Sequence, residues 1–158
     1  SLFSESVSEE LPVWVAFIIL CVFVFIGIIF DIIGTAVMSA DPKSLNSMCT
    51  RQVKGAKKAL KWVQSADTVA NFCNDVMGDI SSVLSGSVGS VIAIGLADTF
   101  NFSKLISAVV VTALTSAITV AGKSFGKNFA MKKANDIIFF FARLLSVFGE
   151  EKSKKKKK

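Results

Sequence analysis

Residues 11–33 read LPVWVAFIILCVFVFIGIIFDII, an apolar run broken by a single charge, Asp31. The run is longer than the roughly 20 residues that cross a hydrocarbon core. Its upstream flank is acidic, with Glu5, Glu9 and Glu10, and has neither a basic n-region nor a small-residue cleavage site. It therefore reads as a membrane span rather than a signal peptide. Working outward, two more apolar stretches follow at about 69–97 and 105–122, joined by the short turn Asp98–Lys104. The chain has 158 residues, 52% hydrophobic and 19% charged. Such a chain cannot hide its apolar surface in one small core. The expected fold is an all-α integral membrane domain over residues 11–148 with three transmembrane helices.

Two segments are amphipathic rather than spanning. Thr50–Gln64 sets Val53, Ala56, Leu60 and Val63 on one side of a helix, with Lys54, Lys57, Lys58 and Lys61 on the other. Phe129–Phe148 alternates Lys132, Lys133 and Arg143 with a dense face of Ile137, Ile138, Phe140, Phe141, Leu144, Leu145 and Phe148. Both are expected to be juxtamembrane helices lying at a membrane surface. Basic residues gather between spans one and two and after span three, so the positive-inside rule predicts an outside N-terminus and a cytoplasmic C-terminus. Residues 1–10 then form an extracytoplasmic segment, and the bilayer is that of the cell (plasma) membrane. The tail 149–158 ends in Lys154–Lys158 and reads either as a disordered solubilising end or as a site for anionic lipid. The net charge of +6 needs no nucleic acid, because membrane topology already accounts for it. Cys21, Cys49 and Cys73 are an odd number at no metal-like spacing, and Cys21 and Cys73 read as small buried hydrophobes.

Charges inside the apolar stretches are the most informative feature. Asp31, Asp75, Asp79 and Lys123 lie in or at the edge of them. A charge in a bilayer core costs roughly 2.5–3.5 kcal/mol on insertion scales, so it persists where it is paired, faces a cavity or snorkels to the interface. In span two, Asn71, Asp75, Gly78, Ser82, Gly86 and Gly89 recur on one helix face. Span three carries Thr112, Thr115, Ser116, Thr119, Gly122 and Lys123 along one side, and span one contributes Gly27, Asp31, Gly34 and Thr35. Small faces let helices approach closely, and their hydroxyls and amides are expected to hydrogen-bond across helices. With the cytoplasmic interface near Asp41, Asp67 and Lys132, Asp31, Asp75 and Lys123 lie about 12–15 Å inside it. A buried cluster of Asp31, Gly34, Asn71, Asn74, Asp75, Gly78, Asp79, Ser82 and Lys123 is predicted, with Asp31 or Asp75 paired to Lys123. Two uses stay open. Asp31, Asp75 and Asp79, with nearby Asn and Ser oxygens, are hard ligands suited to magnesium or sodium. Alternatively Lys123 neutralises the carboxylates and the group is a structural salt bridge.

Two stretches carry a family resemblance. In Thr35–Leu60 (TAVMSADPKSLNSMCTRQVKGAKKAL) a small-residue helix end runs through a serine into a polar loop and an alanine-rich basic helix. In Gly122–Met131 (GKSFGKNFAM), Gly122, Lys127 and Ala130 match the glycine, lysine and alanine of a G-E-(I)-x-P-K-x-(L)-A motif. In order and spacing, about Phe23–Leu145 resembles the transmembrane domain of the CNNM/CorC magnesium transporter family. That resemblance implies three spans, a basic juxtamembrane helix after span one, a helical belt after span three, Mg2+ as the ion and a homodimer. The departures fall on functional positions. Lys123 stands for the motif glutamate beside the ion path, and Gly126 for the proline. The span-one serine–glycine pair falls at about Asp31–Gly34, and the span-two asparagines at Asn74, or at Gly78–Asp79 by a shifted alignment. The family's cytoplasmic CBS and CorC-type domains have no counterpart in these residues.

Two functions follow as expectations. One is a magnesium or divalent-cation transporter, or its ion-binding module. The other is a non-transporting structural or regulatory membrane protein on the same scaffold, with Lys123 replacing the bound cation. A holin-like pore former fits the small size and lysine tail but not the ordered polar stripe. No enzyme is expected: histidine is absent, no cysteine has a reactive setting, and no substrate pocket is legible.

Overall fold

The computed structural model describes residues 12–101 and 103–155, with side chains as far as Leu145. Segment 1–10, the side chains of the basic tail and Phe148 lie outside the described residues. Among those described, the chain is helical and has no strand. Three helical runs are long and apolar enough to cross a membrane: Val13–Ser39, Ala66–Phe100 and Lys104–Lys132. Helix is what such sequences must form in lipid, where each backbone N–H and C=O needs a partner within the segment.

Helix α1 (Val13–Ser39) starts just after Pro12, whose carbonyl accepts from Val15 and Ala16, and runs six residues past the expected end of span one. Helix α2 (Pro42–Thr50) follows at once. Asp41 caps it, accepting from the Lys43 N–H at 3.0 Å, with Pro42 preset in the first turn. The expected basic helix 50–64 is shorter than predicted. Gln52 at φ 54° and Gly55 at φ 91° turn the chain, so helix α3 spans only Ala56–Gln64. Glycine suits the left-handed position that periodicity alone does not reveal.

Helix α4 (Ala66–Asn71) passes through a π-helical turn, Phe72–Val76, into α5 (Met77–Phe100). Asn101, left-handed at φ 53°, caps α5 and donates to the Ala97 carbonyl. Helix α6 (Lys104–Lys132) runs ten residues beyond the expected end of span three. The break then comes at Lys133, so the last helix, α7, begins at Ala134 rather than Phe129 and runs to Lys155.

The chain forms two compact units. One combines α1 as far as Phe30 with Val76–Ser124; the other combines Asp31–Asp75 with the chain from Phe125 onward. In the first unit Ala16, Leu20, Val91 and Ile92 form the buried cluster. The helices touch through small residues: a Cβ on Gly27 would lie 3.0 Å from the Ser81 Cβ. The second unit has an alanine-lined core of Ala36, Ala40, Ala59, Ala130, Ala134 and Ala142 around Val37, Leu45, Val63 and Ile138. Short side chains let α3 and α7 close on each other. A Cβ on Gly55 would lie 2.9 Å from the Arg143 Cα, and Lys58 Nζ donates to the Leu145 carbonyl at 3.0 Å. Asn135 Oδ1 accepts from the Asp41 N–H at 2.8 Å, which fixes the start of α2 against the first turn of α7. Helix α3 buries Ala56, Ala59 and Val63 and leaves Lys57, Lys58 and Lys61 exposed, while Val53 lies outside the helix and is exposed. On α7, Ile138 is fully buried but Phe140, Leu144 and Leu145 are exposed.

Candidate ion site

A carboxylate on the inner part of α1 and a carboxamide on the π-turn make the site. Asp31 is 5% exposed, and Gly34, one turn further along the same face, is also buried. Asn74 sits in the π-turn, and a Cβ on Gly34 would overlap its carboxamide, with the Asn74 Cγ 2.8 Å away. Glycine at 34 is thus what admits the asparagine. Asn74 Oδ1 and Asp31 Oδ2 are both buried, and neither has a hydrogen-bond partner. Two orphaned acceptor oxygens are unusual, since buried polar atoms are nearly always paired. π-turns recur at functional sites because the widened turn redirects side chains.

Asp31 does have a cation beside it. Lys127 Nζ lies 3.7 Å from Asp31 Oδ1, with its side chain 51% exposed against 7% for the aspartate. The expectation paired Asp31 or Asp75 with Lys123; the ion-pair partner of Asp31 is Lys127, one helical turn further along α6. Helical spacing brings both lysines to one side of α6, and only the true register of the helices selects between them. The motif resemblance had singled out Lys127, but not as the partner of Asp31.

Lys123 occupies different surroundings. It is half-buried and lines a hollow of about 10 Å³ with Gly27, Gly78, Ser81, Ser82, Ser85 and Thr119. Room for about one water is all that volume offers. The structure therefore gathers Asp31, Gly34 and Asn74 in one unit, and Gly78, Ser82 and Lys123 in the other. Asn71, Asp75 and Asp79 are exposed. Among the described residues, Asp75, Asp79 and Lys123 make no ion pair, and no three Asp, Glu, Cys or His side chains gather into a metal-holding group.

The polar stripe divides in three dimensions between two faces. Its Asn71, Asp75, Ser82 and Gly86 are all exposed, before and after the π-turn alike, whereas Gly78 and Gly89 are buried. The buried small face of α5 is Gly78, Ser81, Ser85 and Gly89, while Ser82 and Gly86 are exposed. The span hydroxyls also bond locally. Ser82 donates to the Gly78 carbonyl, Ser90 to Gly86, Thr115 to Val111 and Thr119 to Thr115, at 2.7–3.1 Å. Back-bonding to the preceding turn satisfies these hydroxyls without the cross-helix bonds the sequence led us to expect.

As chemistry, a carboxylate and a carboxamide offer hard oxygens that suit Mg2+ or another hard cation. Magnesium commonly keeps several waters and takes one or two carboxylates, so a partial protein shell is compatible with it. Comparison with curated proteins and with solved structures finds no match. Comparison with family models gives one: residues 17–149 match the Cyclin M transmembrane N-terminal domain, CNNM. That match covers most of the chain and includes Asp31, Gly34, Asn74 and Lys127, so this protein belongs to the CNNM family as its multi-pass membrane domain.

Proposed function

We propose that this membrane domain binds a divalent cation, magnesium by preference, at Asp31 and Asn74, and that this binding serves transport across the bilayer. The observation that carries the reading is the pair of buried, unpartnered oxygens: Asp31 Oδ2, one turn before Gly34 on α1, and Asn74 Oδ1, packed against Gly34. Membership of a family associated with divalent-cation transport supports it. The test is calorimetry of magnesium binding to the detergent-solubilised protein, with Asp31→Asn and Asn74→Ala alongside. Wild-type binding that both variants lose is the expected result. A folded wild type that takes up no magnesium at millimolar concentration refutes the proposal.

A second reading rests on Lys123. The lysine is half-buried and lines a hollow with Ser81, Ser82, Ser85 and Thr119, with no carboxylate partner among the described residues, so its ammonium supplies a fixed positive charge there. In that reading the scaffold keeps the fold and no longer transports. Lys123→Glu separates the two: binding by that variant and not by wild type favours the second. The orientation we propose has the N-terminus outside and the C-terminus in the cytoplasm of a plasma-membrane protein. We propose a homodimer as well, supported by the exposed Gly86, beside which a Cβ would meet nothing within 4 Å.

A further inference from the structure

The geometry points to Lys127 as a tethered competitor for the cation at Asp31: a divalent ion enters by displacing the Lys127 ammonium from the carboxylate. This rests on the ion-site reading above and adds to it what sets the affinity of that site.

The two partners differ in freedom. Asp31 is held, with its side chain 7% exposed and within the continuous helix α1. Lys127 is 51% exposed on a long flexible side chain. Its Nζ reaches only one carboxylate oxygen, Oδ1, at 3.7 Å, which is longer than a charge-assisted hydrogen bond. The other oxygen, Oδ2, stays unpartnered, as does Asn74 Oδ1. The ammonium therefore neutralises Asp31 without satisfying the site. Nor does a stronger anion hold Lys127 elsewhere: Asp31 is its only ion-pair partner among the described residues.

A divalent ion and an ammonium cannot share this carboxylate cheaply, because like charges a few ångströms apart repel strongly where water is scarce. A dication bound by Asp31 must push Lys127 outward, and its exposure shows the path is open. The displaced ammonium returns when the ion leaves. The pair thus keeps the buried carboxylate neutralised between ions, and binding becomes an exchange of one cation for another. Affinity is then set by the difference between dication and ammonium at Asp31. Loosening or removing the lysine should tighten binding.

The experiment uses Mn2+ as the probe, followed by electron paramagnetic resonance on the full chain in detergent, for wild type, Lys127→Gln, Lys127→Arg and Asp31→Asn. Lys127→Gln is expected to bind Mn2+ about fivefold more tightly than wild type, the upper scale of a partly exposed charge pair. Lys127→Arg keeps the competing charge and should stay within about 1.5-fold of wild type by the same argument. Asp31→Asn should lose the site. A second readout follows the lysine itself: saturating Mn2+ should speed acylation of the Lys127 amine in wild type and leave it unchanged in Asp31→Asn. Unchanged or weaker Mn2+ binding in Lys127→Gln, with Asp31→Asn still abolishing it, overturns the competition while leaving the ion site standing. No Mn2+ bound by any folded protein of the set overturns the ion-site reading and this inference together.

Discussion

At the scale of single residues, the pair Asp31–Lys127 is asymmetric, and its two halves should respond differently to mutation. Asp31→Asn removes a buried charge and leaves a half-exposed lysine that water can solvate. Its unfolding temperature in detergent should match wild type or exceed it. Lys127→Gln strands the buried carboxylate. Breaking a fully buried pair costs about 3–5 kcal/mol, and the exposure of Lys127 brings the expected loss to about 1–2 kcal/mol. Equal losses from the two substitutions would show that the pair is not organised this way. Gly34→Ala is expected to push the Asn74 carboxamide aside and lower stability by roughly 1–3 kcal/mol, as overpacking does. A loss of magnesium binding should accompany it. Asp31 was legible in the sequence because a lone carboxylate in an apolar run demands a reason. Its partner was not, because Lys123 and Lys127 differ by one turn on the same helix, and choosing between them needs the register of two helices.

At the scale of elements, the three long helices were legible, since apolar length is all that a span requires. Their ends were not: α1 and α6 continue past the apolar stretches because residues such as Ala36, Val37 and Ala130 are buried against other protein rather than lipid. The π-turn was also hidden. Nothing in FCNDV marks it by composition. A pair of substitutions tests which face of α5 is packed. Ser81→Leu, facing Gly27, should cost roughly 1–3 kcal/mol by overpacking, and Ser82→Leu, exposed, should stay within about 0.5 kcal/mol. Comparable losses would mean that Ser81 and Ser82 do not lie on opposite faces of α5. Gly55→Ala tests the α3–α7 contact. A left-handed backbone and the Arg143 backbone at 2.9 Å both oppose the added methyl, for an expected loss of roughly 2 kcal/mol or more in a melt of the purified protein.

At the scale of the whole molecule, charge asymmetry predicts which ends meet which side of the membrane. On a cysteine-free background, Ser47→Cys should react with an impermeant thiol reagent only in inside-out vesicles, and Ser103→Cys only in right-side-out cells. Labelling of Ser47→Cys in intact cells would reverse the orientation. The unit that carries Asp31 is assembled from distant parts of the chain, and that has a consequence for how the protein is made. Lys58 meets its acceptor at Leu145, 87 residues later. On the ribosome, the basic helix with Ala56, Ala59 and Val63 is finished while the strip it packs against, Ala134 to Ala142, is still untranslated. Two membrane insertions must be completed before that partner emerges. For that interval the lysine-rich helix packs on α2 and the end of α1 alone, and any stall in translation before residue 134 would hand the quality-control machinery a chain with an open seam.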